Sequence, residues 1–112
     1  MIHLIRRKST PQQIGEMLEA LETYIKVAVD VRREVLAGGG MLHADCEAEL
    51  LEDGSNQQDI WGADWLPTSQ EVNCLALINI RPGQGNLSME IKDQNLRLKV
   101  ESIVKSLLGS GK

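Results

Sequence analysis

The stretch VAVDVRREVLAGGGMLHADCEAEL, from Val27 to Leu50, decides how the fold is interpreted. In its first half, valines recur at every second position with one interruption at Arg33, and charged residues stand between them. Successive side chains of a strand point to opposite faces, so the pattern predicts a strand with one apolar and one charged face. The second half repeats this alternation from Leu42 to Leu50.

Three glycines, Gly38 to Gly40, separate the two halves. Glycine adopts the positive φ angles that tight hairpin turns need. We therefore predict a β-hairpin that reverses at the glycines. In a symmetric register Val35 lies opposite Leu42 and Val31 lies opposite Cys46, which places the apolar side chains on one side of the hairpin and the charged ones on the other.

A helix over residues 42–53 is the alternative. Leu42, Cys46 and Leu50 are four residues apart, and Ala, Glu and Leu all favour helices. The turn signal Asp53-Gly54-Ser55 could follow either a strand or a helix. We prefer the hairpin, and the helix stays open.

Two amphipathic helices are predicted outside this stretch. Thr10 offers a hydroxyl N-cap, Pro11 follows at the first helical position, and Gln13 completes a capping box. Asp93 can cap a last helix, and Gly109 stands where a C-cap glycine belongs. Apolar residues recur at helical spacing after each N-cap: Ile14, Leu18, Leu21 and Ile25 in the first, and Leu96, Val100, Ile103 and Leu107 in the last.

Further strands are predicted on either side of a polar connection. Asp59 to Leu66 alternates, with Trp61 and Trp65 on the same side, where core packing is the simpler interpretation and partner binding the other. Cys74 to Arg81 is apolar on both faces, which is typical of a central strand. Ile2 to Ile5 is a short candidate.

The predicted fold is an α+β domain over residues 1–112, with a tail that frays from about residue 109. It has an antiparallel sheet of four main strands, plus a short N-terminal strand, and two helices packed on one face. The charged face of the sheet would then stay uncovered.

Composition excludes several classes of function. The net charge of −4 and the pI near 5.1 argue against a nucleic-acid backbone as partner. The sequence contains no apolar run long enough to span a bilayer and no signal peptide, which predicts a cytoplasmic protein. Cys46 and Cys74 lack the spacing of a redox or zinc motif, so we expect buried free thiols.

The uncovered charged face is the candidate functional surface. A solvated face with compensating charges is the simplest interpretation. A site for a divalent metal, with His43, Asp45 and Glu47 as ligands or base, is the second, and Arg81 with the glycines of 83–85 could hold an anion. The candidate residues for a ligand or partner are Arg32, His43, Asp45, Glu47, Asn79, Arg81 and Asn86.

Several short strings resemble a small bacterial family that is known only as a domain of unknown function. The resemblance covers roughly residues 2–108 and implies a complete stand-alone domain of bacterial type, but no activity, cofactor or site residue. It rests on the strings at Gly39–Asp45, Leu50–Ser55, Gln58, Trp61–Gly62, Ile78–Pro82, Gln84–Asn86 and Ser88.

Two functions from different classes follow. The first is a non-enzymatic binding module that uses the charged face for a protein or a small molecule, with no cofactor. An open sheet face or edge strand invites pairing, so a homodimer is also expected. The second is a small metal-assisted hydrolase or nuclease, with Arg81 on the anion and His43, Asp45 and Glu47 around the metal.

Overall fold

The computed structural model describes residues 1–110. Its five strands form one antiparallel sheet in the order β1-β3-β2-β4-β5, which confirms the predicted α+β class with four main strands and a short N-terminal one. No helix within residues 1–110 has the length and apolar character needed to cross a membrane. The elements are β1 (His3–Ile5), α1 (Pro11–Met17), β2 (Ile25–Asp30), β3 (Val35–Gly40), α2 (His43–Glu52), β4 (Ile60–Leu66), β5 (Glu71–Asn73) and α3 (Gln94–Leu108).

The chain reverses at residues 31–34, so the predicted reversal at Gly38–Gly40 was wrong. The carboxylate of Asp30 accepts hydrogen bonds from the backbone N–H groups of Arg32 (2.9 Å) and Arg33 (3.0 Å). Glu34 closes the turn with a φ of +58°. An aspartate that binds the backbone two and three residues ahead is a turn signal, and here it interrupts the valine pattern.

The glycine run serves close packing within β3. Gly39 is left unpaired by a register shift between β2 and β3 and has a φ of +104°, which marks a bulge. A Cβ on it would collide with the carbonyl oxygen of Met1 and would lie 2.9 Å from Cα of Met17. A Cβ on Gly40 would lie 3.2 Å from Sγ of Cys46. The glycines therefore let the N-terminus, α1 and α2 approach the sheet.

Residues 43–52 form α2, so the helical alternative was right and the predicted strand over Leu42–Leu50 was wrong. Cys46 and Leu50, one helical turn apart, are fully buried against Ala28, Ala37 and Ile60. The four-residue spacing was the correct signal, and the two-residue alternation had no structural meaning. Because α2 packs on the sheet face that carries Ala28, Ala37 and Ile60, the charged face that we expected to be open is largely covered.

The other face carries α1 and α3, as predicted for two helices on one side. Val27, Val29, Trp61 and Trp65 point to this side and form the main core with α3, so both tryptophans are core residues. The N-caps are also confirmed, because Thr10 makes both capping-box bonds and the side chain of Asp93 accepts from the N–H of Leu96. The first apolar stripe was drawn too long, since α1 ends at Met17 and Ile25 belongs to β2.

Residues 74–81 do not form a central strand, and that prediction was wrong. They run as an irregular segment with a 3-10 turn at Leu77–Asn79 and two isolated bridges, from Leu75 to Glu90 and from Arg81 to Asn86. The segment crosses the edge of β4 and lies on Gly62, where a Cβ would come within 2.6 Å of Cβ of Ala76. The apolar run is two-sided because it covers a sheet edge.

The C-terminal end of α3 is held in place. Gly109 is buried, and the N–H of Ser110 donates to Oε1 of Gln70 (2.8 Å). The predicted fraying from about residue 109 stays a prediction, and residues 111–112 lie outside the described part.

Candidate functional site

Asn79 takes the place of a neighbouring strand along β4. The strand β5 pairs only with residues 64–66 of β4, which leaves Gly62 without a strand partner on that side. The fully buried amide of Asn79 accepts from the N–H of Gly62 (2.8 Å) and donates to its carbonyl (3.0 Å) and to that of Met89 (3.0 Å). Asn79 is therefore a structural residue.

Arg81 continues the same function two residues further along. Its guanidinium donates to the carbonyls of Ile60 (2.5 Å), Gln57 (2.7 Å) and Ile78 (2.9 Å), and it lies 3.2 Å from the carboxylate of Glu47. It also covers the ring of Trp61 at 4.9 Å. Burial lowers the pKa of Arg81, and the charge of Glu47 opposes this effect.

Asn86 fixes the loop that follows. Its amide nitrogen donates to the carbonyls of Asn79, Ser88 and Glu90 at 2.7–2.9 Å, and its oxygen accepts from the N–H of Lys92 (3.0 Å). The two N–H groups of the amide are shared among the three carbonyls, and all four contacts together fix its orientation. The stretch from Arg81 to Asn86 thus has the geometry of a structural turn, with its polar groups directed inward.

A second structural cluster ties the 31–34 turn to the end of α2. Burial raises the pKa of Asp30, but hydrogen bonds from Ser55 (2.6 Å) and from Arg33 (2.9 Å) outweigh it, so the pKa lies below its ordinary value. Arg33 also contacts Asp53 (3.1 Å), which in turn binds Arg6. Asp53 and Ser55, which belong to one of the strings that carry the family resemblance, are thus part of this cluster.

The predicted metal ligands do not come together. Glu47 contacts Arg81, His43 contacts Asp64, and Asp45 is exposed, because a residue two positions along a helix points to the opposite side. Within residues 1–110 no group of three or more His, Cys, Asp or Glu side chains is arranged to hold a metal ion. Arg32, another residue expected on the charged face, lies in the exposed turn, with Nε 3.5 Å from Asp59.

His43 lines a cavity. It is the first residue of α2, and only 11% of its side chain is exposed. Its Nε2 lies 2.8 Å from Oδ1 of Asp64 and 3.0 Å from the carbonyl oxygen of Ala63. Both partners accept hydrogen bonds, so Nε2 must carry the proton. Nδ1 has no hydrogen-bond partner within residues 1–110.

The cavity beside His43 has a volume of about 430 Å³ and lies between the start of α2 and the 75–89 segment. Its polar end holds Lys26 and Asp64, which are cross-strand partners on β2 and β4. Lys26 donates to the carbonyl of Met41 (3.1 Å). We call it the His43 cavity; its remaining lining is Leu42, Ala44, Leu75, Ala76, Leu77, Ile78 and Met89.

The comparisons with known proteins give a family and no function. A family model described as "Protein of unknown function (DUF5674)" matches residues 3–107. The chain belongs to this family. No curated protein and no solved structure shows a significant match. The predicted resemblance to a domain of unknown function is therefore confirmed.

Sequence reasoning missed Lys26, Asp64 and the apolar lining. The alternation predicted for Asp59 to Leu66 puts Asp64 on the face opposite Trp61 and Trp65, which the structure confirms, but the hairpin interpretation separated His43 from it. The helical alternative, with His43 at its first turn, was the available signal. Leu75 and Leu77 were not recognised as exposed cavity residues because we placed them inside a central strand.

Proposed function

We propose that this chain is a non-enzymatic binding module, and that its binding site is the His43 cavity. The cavity lies at one end of the sheet face on which α2 packs, and Lys26 and Asp64 border it there. Ligand sites are typically concave, mostly apolar, and 300–1,000 Å³ in volume, with a few polar groups that orient the ligand. The cavity matches this description.

The apolar lining is the observation that supports the proposal. Leu42 and Leu77 are 57% and 72% exposed, and Leu75 and Met89 are exposed as well. Isolated exposed apolar side chains are common, but a contiguous group around a cavity marks an interaction site. Leucine and methionine side chains can also adapt to an apolar ligand.

The arrangement of charged groups weighs against the alternative, a metal-assisted hydrolase. That function needs Arg81 free to hold an anion, whereas its guanidinium donates to three backbone carbonyls. It also needs His43 and Glu47 on one metal, whereas each contacts a different partner.

Binding is tested by titrating 1-octanol into the protein and following the methyl resonances of leucine, isoleucine and methionine. We expect saturable shifts at Leu77 and Met89, because both line the cavity. Leu77→Glu should abolish the shift of the Met89 methyl, while Leu98→Glu, at a 52% exposed position on α3, should leave it unchanged. Absence of any saturable shift in the native protein would remove the basis for a binding site here.

Turnover is tested separately with p-nitrophenyl octanoate, whose ester could be attacked by water if His43, oriented by Asp64, acted as a general base. A binding module should hydrolyse it no faster than the His43→Gln variant does. A native rate at least tenfold above that variant would favour the enzyme instead.

A cytoplasmic location is part of the proposal. Burial raises the pKa of Cys46 to about 11 and of Cys74 to about 12, so both remain thiols that react slowly. This chemistry suits a reducing compartment. Acid quenching of intact cells, followed by alkylation of the denatured chain and mass spectrometry, should find both cysteines reduced; a disulfide would contradict this location.

A further inference from the structure

The position of one proton sets what the His43 cavity can recognise. Nε2 of His43 has two acceptors, Asp64 and the carbonyl of Ala63, so in the neutral imidazole the proton stays on Nε2. Nδ1 then carries a lone pair and has no donor within residues 1–110. His43 lines the cavity, so a ligand group that reaches Nδ1 would be held there by donating a hydrogen bond to it.

The charges at the polar end do not favour an ionic ligand. Lys26 and Asp64 are cross-strand partners of opposite charge, so their formal charges sum to zero. The start of α2 adds partial positive charge, since Leu42 provides no side-chain cap, but Asp45 in the first turn offsets it. A charged head group that enters the cavity would lose its hydration and would find no unpaired opposite charge in exchange, which is costly.

The rest of the cavity determines the body of the ligand. Beyond the polar end the lining is aliphatic, with Leu42, Leu75, Leu77, Ile78 and Met89. A volume of about 430 Å³ accommodates a small molecule and is at the lower end of the range of known ligand sites. An aliphatic body would be held by removal of apolar surface from water.

We propose that the His43 cavity selects a neutral, mostly aliphatic small molecule with a hydroxyl group that donates to Nδ1 of His43. This inference rests on the proposed binding function and adds the ligand class. The hydroxyl oxygen can at the same time accept a hydrogen bond from the ammonium group of Lys26, which uses only one of its three donors on Met41.

The inference is tested with four probes that share an eight-carbon chain: 1-octanol, methyl octyl ether, octanoate and octylammonium. Dissociation constants come from methyl shifts of Leu77 and Met89. One hydrogen bond corresponds to about a five- to tenfold change in affinity, so 1-octanol should bind at least fivefold tighter than the ether. Both charged probes should bind more weakly than 1-octanol.

The variant His43→Gln isolates the contact. Its side-chain amide can still donate toward Asp64 but presents no acceptor at the position of Nδ1. We expect about fivefold weaker binding of 1-octanol and unchanged binding of the ether. Lys99→Gln, an exposed change on α3, is the control and should alter neither.

Each other outcome overturns the inference in a recognisable way. Equal binding of all four probes would leave the binding module standing and remove the hydroxyl selectivity. Tighter binding of octanoate would assign the site to an anion. Concentration-dependent shifts of the cavity methyls without a probe would show that a second copy of the chain occupies the cavity. Failure of every probe to bind would refute the proposed function itself.

Discussion

Replacing Asn79 by Ala should be among the most destabilising single changes in this protein. Gly62 is buried, and the side-chain amide of Asn79 bonds both its N–H and its carbonyl. Removing the amide leaves both of these backbone groups without partners. Each orphaned buried backbone group costs about 1–3 kcal/mol, so the free energy of unfolding should fall by about 2–6 kcal/mol. The third bond matters less, because the carbonyl of Met89 also accepts from Ala76.

Urea unfolding followed by tryptophan fluorescence measures this loss, because Trp61 and Trp65 are both buried. The matched control is Asn73→Ala, an exposed asparagine on β5, which should change the free energy of unfolding by less than about 0.5 kcal/mol. A loss below about 1 kcal/mol for Asn79→Ala would refute the idea that this side chain replaces a strand.

Three further changes test the packing and electrostatics. Gly62→Ala should cost about 1–3 kcal/mol in a thermal or urea melt, because its Cβ would lie 2.6 Å from Ala76, whereas Gly83→Ala should be nearly neutral because no atom lies within 4 Å of the added Cβ. The pKa of Asp30 is lower in the folded protein than in the unfolded chain. Its contribution to stability is therefore present above the unfolded pKa and is lost as the pH falls below about 4. Asp30→Asn should flatten that part of a curve of unfolding free energy against pH, and an unchanged curve would contradict the assignment. Trp65→Phe removes a buried indole N–H that has no acceptor within residues 1–110, so urea melts should show a change below about 1 kcal/mol, against about 3–5 kcal/mol for Trp65→Ala.

Local capping signals were the part of the fold that the sequence predicted well. Thr10 and Asp93 start their helices by hydrogen bonds to residues three positions ahead, so the information lies within one turn of chain. The strand at Ile60–Leu66 was also predicted, since its alternation places Trp61 and Trp65 in the core and Gly62 and Asp64 on the other face.

Errors arose where short-range patterns fit two structures. The alternation between Leu42 and Leu50 consists largely of small and acidic residues, which suit a helix equally well. The glycine run indicated a turn, but its need for glycine comes from Met1 and Met17, which are distant in sequence. No local pattern contains that contact.

The candidate site was predicted only in part, for the same reason. His43 was identified by residue type, while its partner Asp64 lies 21 residues away and meets it only because 43–52 is a helix. Asn79, Arg81 and Asn86 were correctly noticed as unusual polar residues. Their polar groups are used inside the fold: Asn79 and Arg81 bond backbone groups of β4, and Asn86 bonds those of the loop that follows.

The most direct test of the binding site uses intermolecular nuclear Overhauser effects between protonated 1-octanol and protein that is deuterated except at its methyl groups. If the His43 cavity is the binding site, cross-peaks should connect the octyl chain to the methyls of Leu42, Leu77, Ile78 and Met89, which line it together. Cross-peaks confined to methyls outside this group, such as those of Leu98 on α3, would contradict the proposed location.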